Sequence, residues 1–286
     1  MTPSLALWAV LLAGSGLSEA GCADCHAGVA ADYARSPMAG AATGRQFQTE
    51  WAAAGFDPGC RDCHAPRGGR GVGCRGCHRG AVHQGSSPQV PGTCATCHDA
   101  PGESTLRSHA RSPAARAQVS CTDCHAGGTT GHRFEGPSTP GFLAGAATLR
   151  AVWSGGPRPA LQVEIRHRAG HALPGGSTGR AVWLLVEGLD RDGGKTWQAR
   201  RRFGWWRHPD GMLREATLPA GQATWTRFEV PVGDNSVALR LSLIFRFRAG
   251  PLDQPDPREV LLDWLDLPLP AMHRPPQQPS MPAKGR

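Results

Sequence analysis

Apolar and polar positions alternate most clearly in the second half of the chain. Val237, Leu239, Leu241, Leu243, Phe245 and Phe247 take every second position, with mostly polar or charged residues between them. That period of two predicts a half-buried strand. Leu161, Val163 and Ile165 repeat the pattern, as do Thr224, Thr226, Phe228 and Val230. Ala181–Leu189 (AVWLLVEGL) is nearly continuous in apolar residues and predicts a more buried strand. Asp192, Gly193 and Gly194 then supply a hairpin turn before a strand over Thr196–Arg202. At this spacing about seven short strands fit into about 120 residues, which predicts an antiparallel β-sandwich.

The first half reads differently. Residues 21–140 contain only 12 large apolar side chains, whereas residues 141–270 contain 41. Helices are expected over Ala27–Arg35, Gln46–Ala54 and Ser104–Gln118, the last strained at Pro113. These segments are too poor in apolar residues to build a core, and composition alone would suggest disorder. The chain therefore divides into residues 21–140, a domain of short helices and loops, and residues 141–270, the β domain. A Pro-rich tail follows over 271–286. At the other end, Leu5–Leu17 is an apolar run too short to span a bilayer comfortably, followed by Ser18-Glu19-Ala20. Residues 1–20 are expected to be an export signal cleaved after Ala20.

The chain has 286 residues with 31 Lys+Arg against 23 Asp+Glu, a formal charge of +8. One short apolar run excludes a polytopic membrane protein, and the 38 glycines keep no collagen period. A basic balance raises nucleic acid as a partner, a reading that holds only until the cysteines are counted.

All ten cysteines fall into five pairs, each followed directly by histidine: Cys22/Cys25-His26, Cys60/Cys63-His64, Cys74/Cys77-His78, Cys94/Cys97-His98 and Cys121/Cys124-His125. C-x-x-C-H is the attachment signature of haem c. Two thiols on one short turn add to the two vinyl groups, and the adjacent imidazole becomes the proximal iron ligand. Structural zinc consumes such pairs two at a time and has no need of a histidine after each. A disulfide framework would not repeat one spacing five times. Five covalently attached haems c would then supply the core that residues 21–140 lack, and attachment outside the cytoplasm agrees with the export signal.

Each iron needs a second axial ligand to act purely as an electron carrier. Outside the motifs, His83, His109 and His132 lie near the haem segments, and His171 sits in a loop (AGHALPGG) from which it could reach back. Met38, in YARSPMAG, is the fifth candidate; a thioether would raise that haem's potential, and without it one iron is open. His167, His208 and His273 are expected to be structural or solvated.

These segments together resemble multihaem cytochromes c of the group around the tetrahaem electron acceptor of hydroxylamine oxidoreductase. CADCHAGVAADYARSPM resembles that group's first haem segment, with Met38 where a histidine usually stands. VGCRGCHRGAVH resembles the third, which implies a distal role for His83. VSCTDCHAGGTTGHRFEG resembles the segment ending in H-R-F-x-G, implying the same for His132. IRHRAGHALPGGSTGRAVWLLVEGLDRDG resembles the opening of the β domain that follows such haem domains, implying a role for His171. The resemblance implies electron transfer in the periplasm or outside the cell, between a redox donor and an acceptor protein.

Three function classes follow. The foremost is an electron carrier rather than an enzyme. A small reductase acting on a nitrogen or sulfur oxyanion would need one open iron. A conductive filament or complex subunit would use the β domain for self-association. Nucleic acid drops out: 29 of the 31 cations are arginine, the side chain suited to bidentate carboxylate pairing. Five haems bring ten propionates for them to meet.

Overall fold

The structure, a computed structural model, describes residues 19–78, 92–100, 102–127, 131–154, 160–176, 179–231, 235–248 and 252–270. The expected export segment, the Pro-rich tail, His83 and His273 lie outside them, apart from Glu19 and Ala20 at the start of the first helix. Among the described residues no helix is long and apolar enough to cross a membrane.

Among the described residues nine short α-helices precede the strands: α1 Glu19–Cys25, α2 Ala27–Ala34, α3 Arg45–Ala53, α4 Cys60–His64, α5 Cys74–Cys77, α6 Gly92–His98, α7 Thr105–Ala110, α8 Pro113–Arg116 and α9 Cys121–His125. A 3-10 turn over Pro37–Gly40 separates α2 from α3. The helix expected over Ser104–Gln118 is two helices. Pro113 has no N–H for a preceding turn, and the Ser112 hydroxyl accepts from the Ala115 N–H at 3.1 Å, starting α8 afresh.

Eight strands follow among the described residues: β1 Ala147–Ser154, β2 Ala160–His167, β3 Ala181–Leu189, β4 Lys195–Arg207, β5 Leu213–Ala216, β6 Thr224–Glu229, β7 Ala238–Arg246 and β8 Val260–Pro268. They form two antiparallel sheets, ordered β1-β2-β6 and β5-β4-β3-β7-β8. In the larger sheet Val182 faces Phe245, Leu184 faces Leu243 and Val186 faces Leu241. These cross-strand pairs and Leu161, Val163 and Ile165 of β2 belong to one hydrophobic core shared by both sheets. Fully burying each such side chain contributes about 1.5–3 kcal/mol. The turn between β3 and β4 closes on Asp190, whose carboxylate accepts from Asp192 N–H and Gly194 N–H.

The expected fold class, a haem-packed helical domain plus a separate β-sandwich, is corrected by this arrangement. The molecule is strand-rich, and its two compact units are not consecutive in sequence. One comprises Met1–Thr93 with Cys121–Thr139; the other comprises Cys94–Ser120 with Pro140–Arg286. The segment bearing α7 and α8 belongs with the strands because polar side chains tie it there. The Ser108 hydroxyl accepts from Ala172 N–H at 3.1 Å and the Thr105 hydroxyl from Gly176 N–H at 3.3 Å. Ser104 donates to Glu215 at 3.2 Å. Counting apolar residues cannot register such links.

Candidate functional site

Each C-x-x-C-H motif forms a helical turn. α1 carries Cys22 and Cys25, α4 carries Cys60 and Cys63, α5 carries Cys74 and Cys77, α6 carries Cys94 and Cys97, and α9 carries Cys121 and Cys124. A spacing of three puts both thiols of a pair on one helix face. Cys25 and Cys124 are exposed and the other eight cysteines half-buried. His64, His98 and His125 end their helices, while His26 and His78 follow theirs directly.

Three of the five motif histidines are held through Nδ1. His64 Nδ1 lies 3.0 Å from the Ala41 carbonyl oxygen, and His125 Nδ1 lies 2.6 Å from that of Glu135. His98 Nδ1 lies 3.3 Å from a carboxylate oxygen of Glu103. A carbonyl or carboxylate oxygen accepts, so Nδ1 carries the proton and Nε2 keeps its lone pair. This is the tautomer that a metal-binding imidazole needs. The His64 ring also stacks on Phe47, centroids 4.2 Å apart.

His78 sits beside His132, with ring centroids 6.3 Å apart and planes 13° from parallel. Burial lowers the proton affinity of His78, and the nearby His132 and His26 lower it further. Both effects favour the neutral, ligating form.

The remaining distal candidates are distributed as follows. Met38 lies in the 3-10 turn, capped by the Ser36 hydroxyl, and its carbonyl accepts from Val72 N–H at 2.9 Å, just ahead of the third motif. His171 donates from Nδ1 to the Ala172 carbonyl at 2.8 Å, leaving the lone pair on Nε2. His109 uses Nε2 on the Val119 carbonyl at 3.0 Å, which leaves its lone pair on Nδ1. His171 and His109 both belong to the strand-bearing unit. His167 is buried with Nε2 on the Leu218 carbonyl, and His208 faces Asp210 at 3.0 Å.

A haem-sized apolar cofactor suits this chain on two observations. Four of the five motifs belong to the unit over 1–93 and 121–139, whose apolar core among the described residues is only Ala42, Phe47 and Ala65 with Trp51 and Cys60 against it. Helices of four to nine residues are not stable alone in water, so such a unit needs further apolar material to pack on. Within the third motif, Arg75 Nε is buried without a hydrogen-bond partner among the described residues. A guanidinium so placed suits a carboxylate such as a propionate.

Sequence reasoning missed the carbonyls of Ala41 and Glu135, which lie 23 and 10 positions from the imidazoles they hold. Every residue carries a backbone carbonyl, so no local pattern marks them.

No family model matches the chain, and no curated protein matches it. Among solved structures it is similar to a penta-heme cytochrome c552 from Thermochromatium tepidum, with a TM-score of 0.62 and 18% identity. The match covers 87% of this chain and 97% of that one, and shows a shared fold.

Proposed function

We propose that the chain is an exported pentahaem c-type cytochrome that passes electrons along its haems between a donor and an acceptor protein in the periplasm or outside the cell. The observation that carries this reading is the common form of the five motifs: two cysteines on one helical turn with a histidine directly after them. The likeness in fold to a penta-heme cytochrome supports it.

On this reading the ten cysteines anchor the groups and His26, His64, His78, His98 and His125 bind on the proximal side. Haem c, when bound, supplies a one-electron iron couple. The carbonyls of Ala41 and Glu135 and the carboxylate of Glu103 hold three of the proximal imidazoles in the ligating tautomer. His83, His109, His132, His171 and Met38 are the distal ligands proposed, and arginines such as Arg75 pair with propionates. The group around the electron acceptor of hydroxylamine oxidoreductase is the proposed relationship.

The test is the intact mass and redox titration of protein made in a host that matures c-type cytochromes. The expected result is a mass equal to the signal-cleaved chain plus five haems, with five electrons taken up reversibly per chain. A chain without added haem overturns the proposal.

A further inference from the structure

The segment 131–135 joins several of these sites. Glu135 accepts from His125 through its carbonyl, and its N–H returns to the His125 carbonyl at 2.7 Å. His132 lies beside His78. Gly131 and Phe134 both have positive φ, so the segment is a tight irregular loop and no helix orients the His132 ring.

What holds that loop is Asp32, on the helix that follows the first motif. Its side chain is buried, with the residue only 5% exposed, although a lone buried carboxylate is costly. Oδ2 accepts from the His132 N–H at 3.3 Å, and Oδ1 accepts from Arg133 Nε at 3.1 Å and from Arg35 Nη2 at 3.1 Å. One carboxylate thus fixes the backbone of His132 and the side chain of the next residue, 100 positions away in sequence, and two guanidiniums balance its charge.

The separation of the two rings has its own meaning. An imidazole nitrogen binds a transition metal at about 2 Å, and the ring centre lies about 1.1 Å further on, so two imidazoles trans on one ion place their centroids about 6.3 Å apart. His78 and His132 stand at 6.3 Å with nearly parallel planes.

We infer that His132 is the sixth ligand of the iron bound by His78, and that Asp32 is the positioning residue that presents it. This rests on the haem reading above. A ligand from a loop loses conformational freedom on binding, and a second group that fixes its backbone beforehand reduces that loss.

The experiment uses the full holoprotein and four variants: His132→Ala, Asp32→Ala, Asp32→Asn, and His132→Ala combined with Cys74→Ala/Cys77→Ala. Intact mass gives haem content, electron paramagnetic resonance counts low-spin and high-spin irons, and carbon monoxide titration of the reduced protein counts open sites. His132→Ala is expected to keep its haems, convert one low-spin iron to high spin and bind one additional carbon monoxide per chain, with free imidazole restoring the low-spin signal. Asp32→Ala is expected to give the same new signal in part of the molecules at full haem content, and Asp32→Asn a smaller fraction. In the triple variant the new signal is expected to vanish with the third haem.

Unchanged spin states in His132→Ala overturn the ligand assignment. A new signal that survives loss of Cys74 and Cys77 overturns the pairing with His78. An Asp32→Ala protein with full haem content, wild-type spin states and no added carbon monoxide binding overturns the positioning role. Absence of haem from the wild-type mass is a separate outcome that removes the reading beneath all three.

Discussion

At the scale of single residues, much of the chemistry depends on which imidazole nitrogen holds the proton. His64 and His125 settle it with a backbone carbonyl, so substitution of the residue supplying that carbonyl should change little. His167 poses a different problem. It is a buried imidazole whose proton affinity is lowered by burial, an effect only partly offset by the backbone carbonyls of Leu218 and Pro219. The unfolded chain takes up a proton near pH 6.5, while the folded chain does so at lower pH. Between those values the unfolded state holds more protons, so stability rises with pH and is lost as pH falls below about 6.5. Below the lowered folded value both states are protonated and the slope ends. Urea unfolding of wild type and His167→Gln at pH 7.5 and pH 5 should show a smaller acid loss in the variant; equal losses would remove His167 from the account. The cysteine-histidine motifs were legible in the sequence because their five residues lie on one turn. Asp32 was not, since its partners His132 and Arg133 are brought to it only by folding.

At the scale of elements, two packing arrangements can be tested. The chain preceding α5 crosses the 3-10 turn closely, with Ala42 N–H donating to the Arg70 carbonyl and Val72 N–H to the Met38 carbonyl, both at 2.9 Å. A Cβ at Gly71 would run into the carbonyl oxygens of Met38 and Ala39. Gly71→Ala should therefore cost about 1–3 kcal/mol, read as a lowered thermal midpoint. Within β7, Leu243 is wholly buried opposite Leu184. Leu243→Ala should cost about 2–5 kcal/mol by denaturant titration, through lost transfer energy and the cavity left behind. The alternation from Val237 to Phe247 was readable because one face of β7 meets the core and the other does not. The break at Ser112 in the third expected helix was readable only as strain at Pro113. Whether a proline kinks a helix or starts a new one depends on a cap such as the Ser112 hydroxyl.

At the scale of the whole molecule, charge is the quantity that the proposed haems would change. On the proposed cleavage after Ala20, loss of Glu19 would raise the formal charge of the polypeptide from +8 to +9. Five haems would bring ten propionates, which offset that excess before the iron charge is counted. The holoprotein should focus well below the sequence value of 9.3. Focusing near 9 with all five haems attached would overturn this charge balance.

The sequence by itself determined the chemistry carried within short stretches: five thiol pairs each with its histidine, the near absence of apolar residues over 21–140, and the period of two in the strands. Each is set by residues a few positions apart, whose geometry the backbone dictates. Only the tertiary structure decided that the chain is strand-rich with units that interleave in sequence, that α7 and α8 belong with the sheets, that His132 meets His78, and that Asp32 holds the loop between them. The placement of α7 and α8 and the hold of Asp32 on its loop rest on single hydrogen bonds and ion pairs between segments tens to a hundred residues apart. Their partners are polar side chains common at any surface, so nothing in their spacing distinguishes them before the chain has folded.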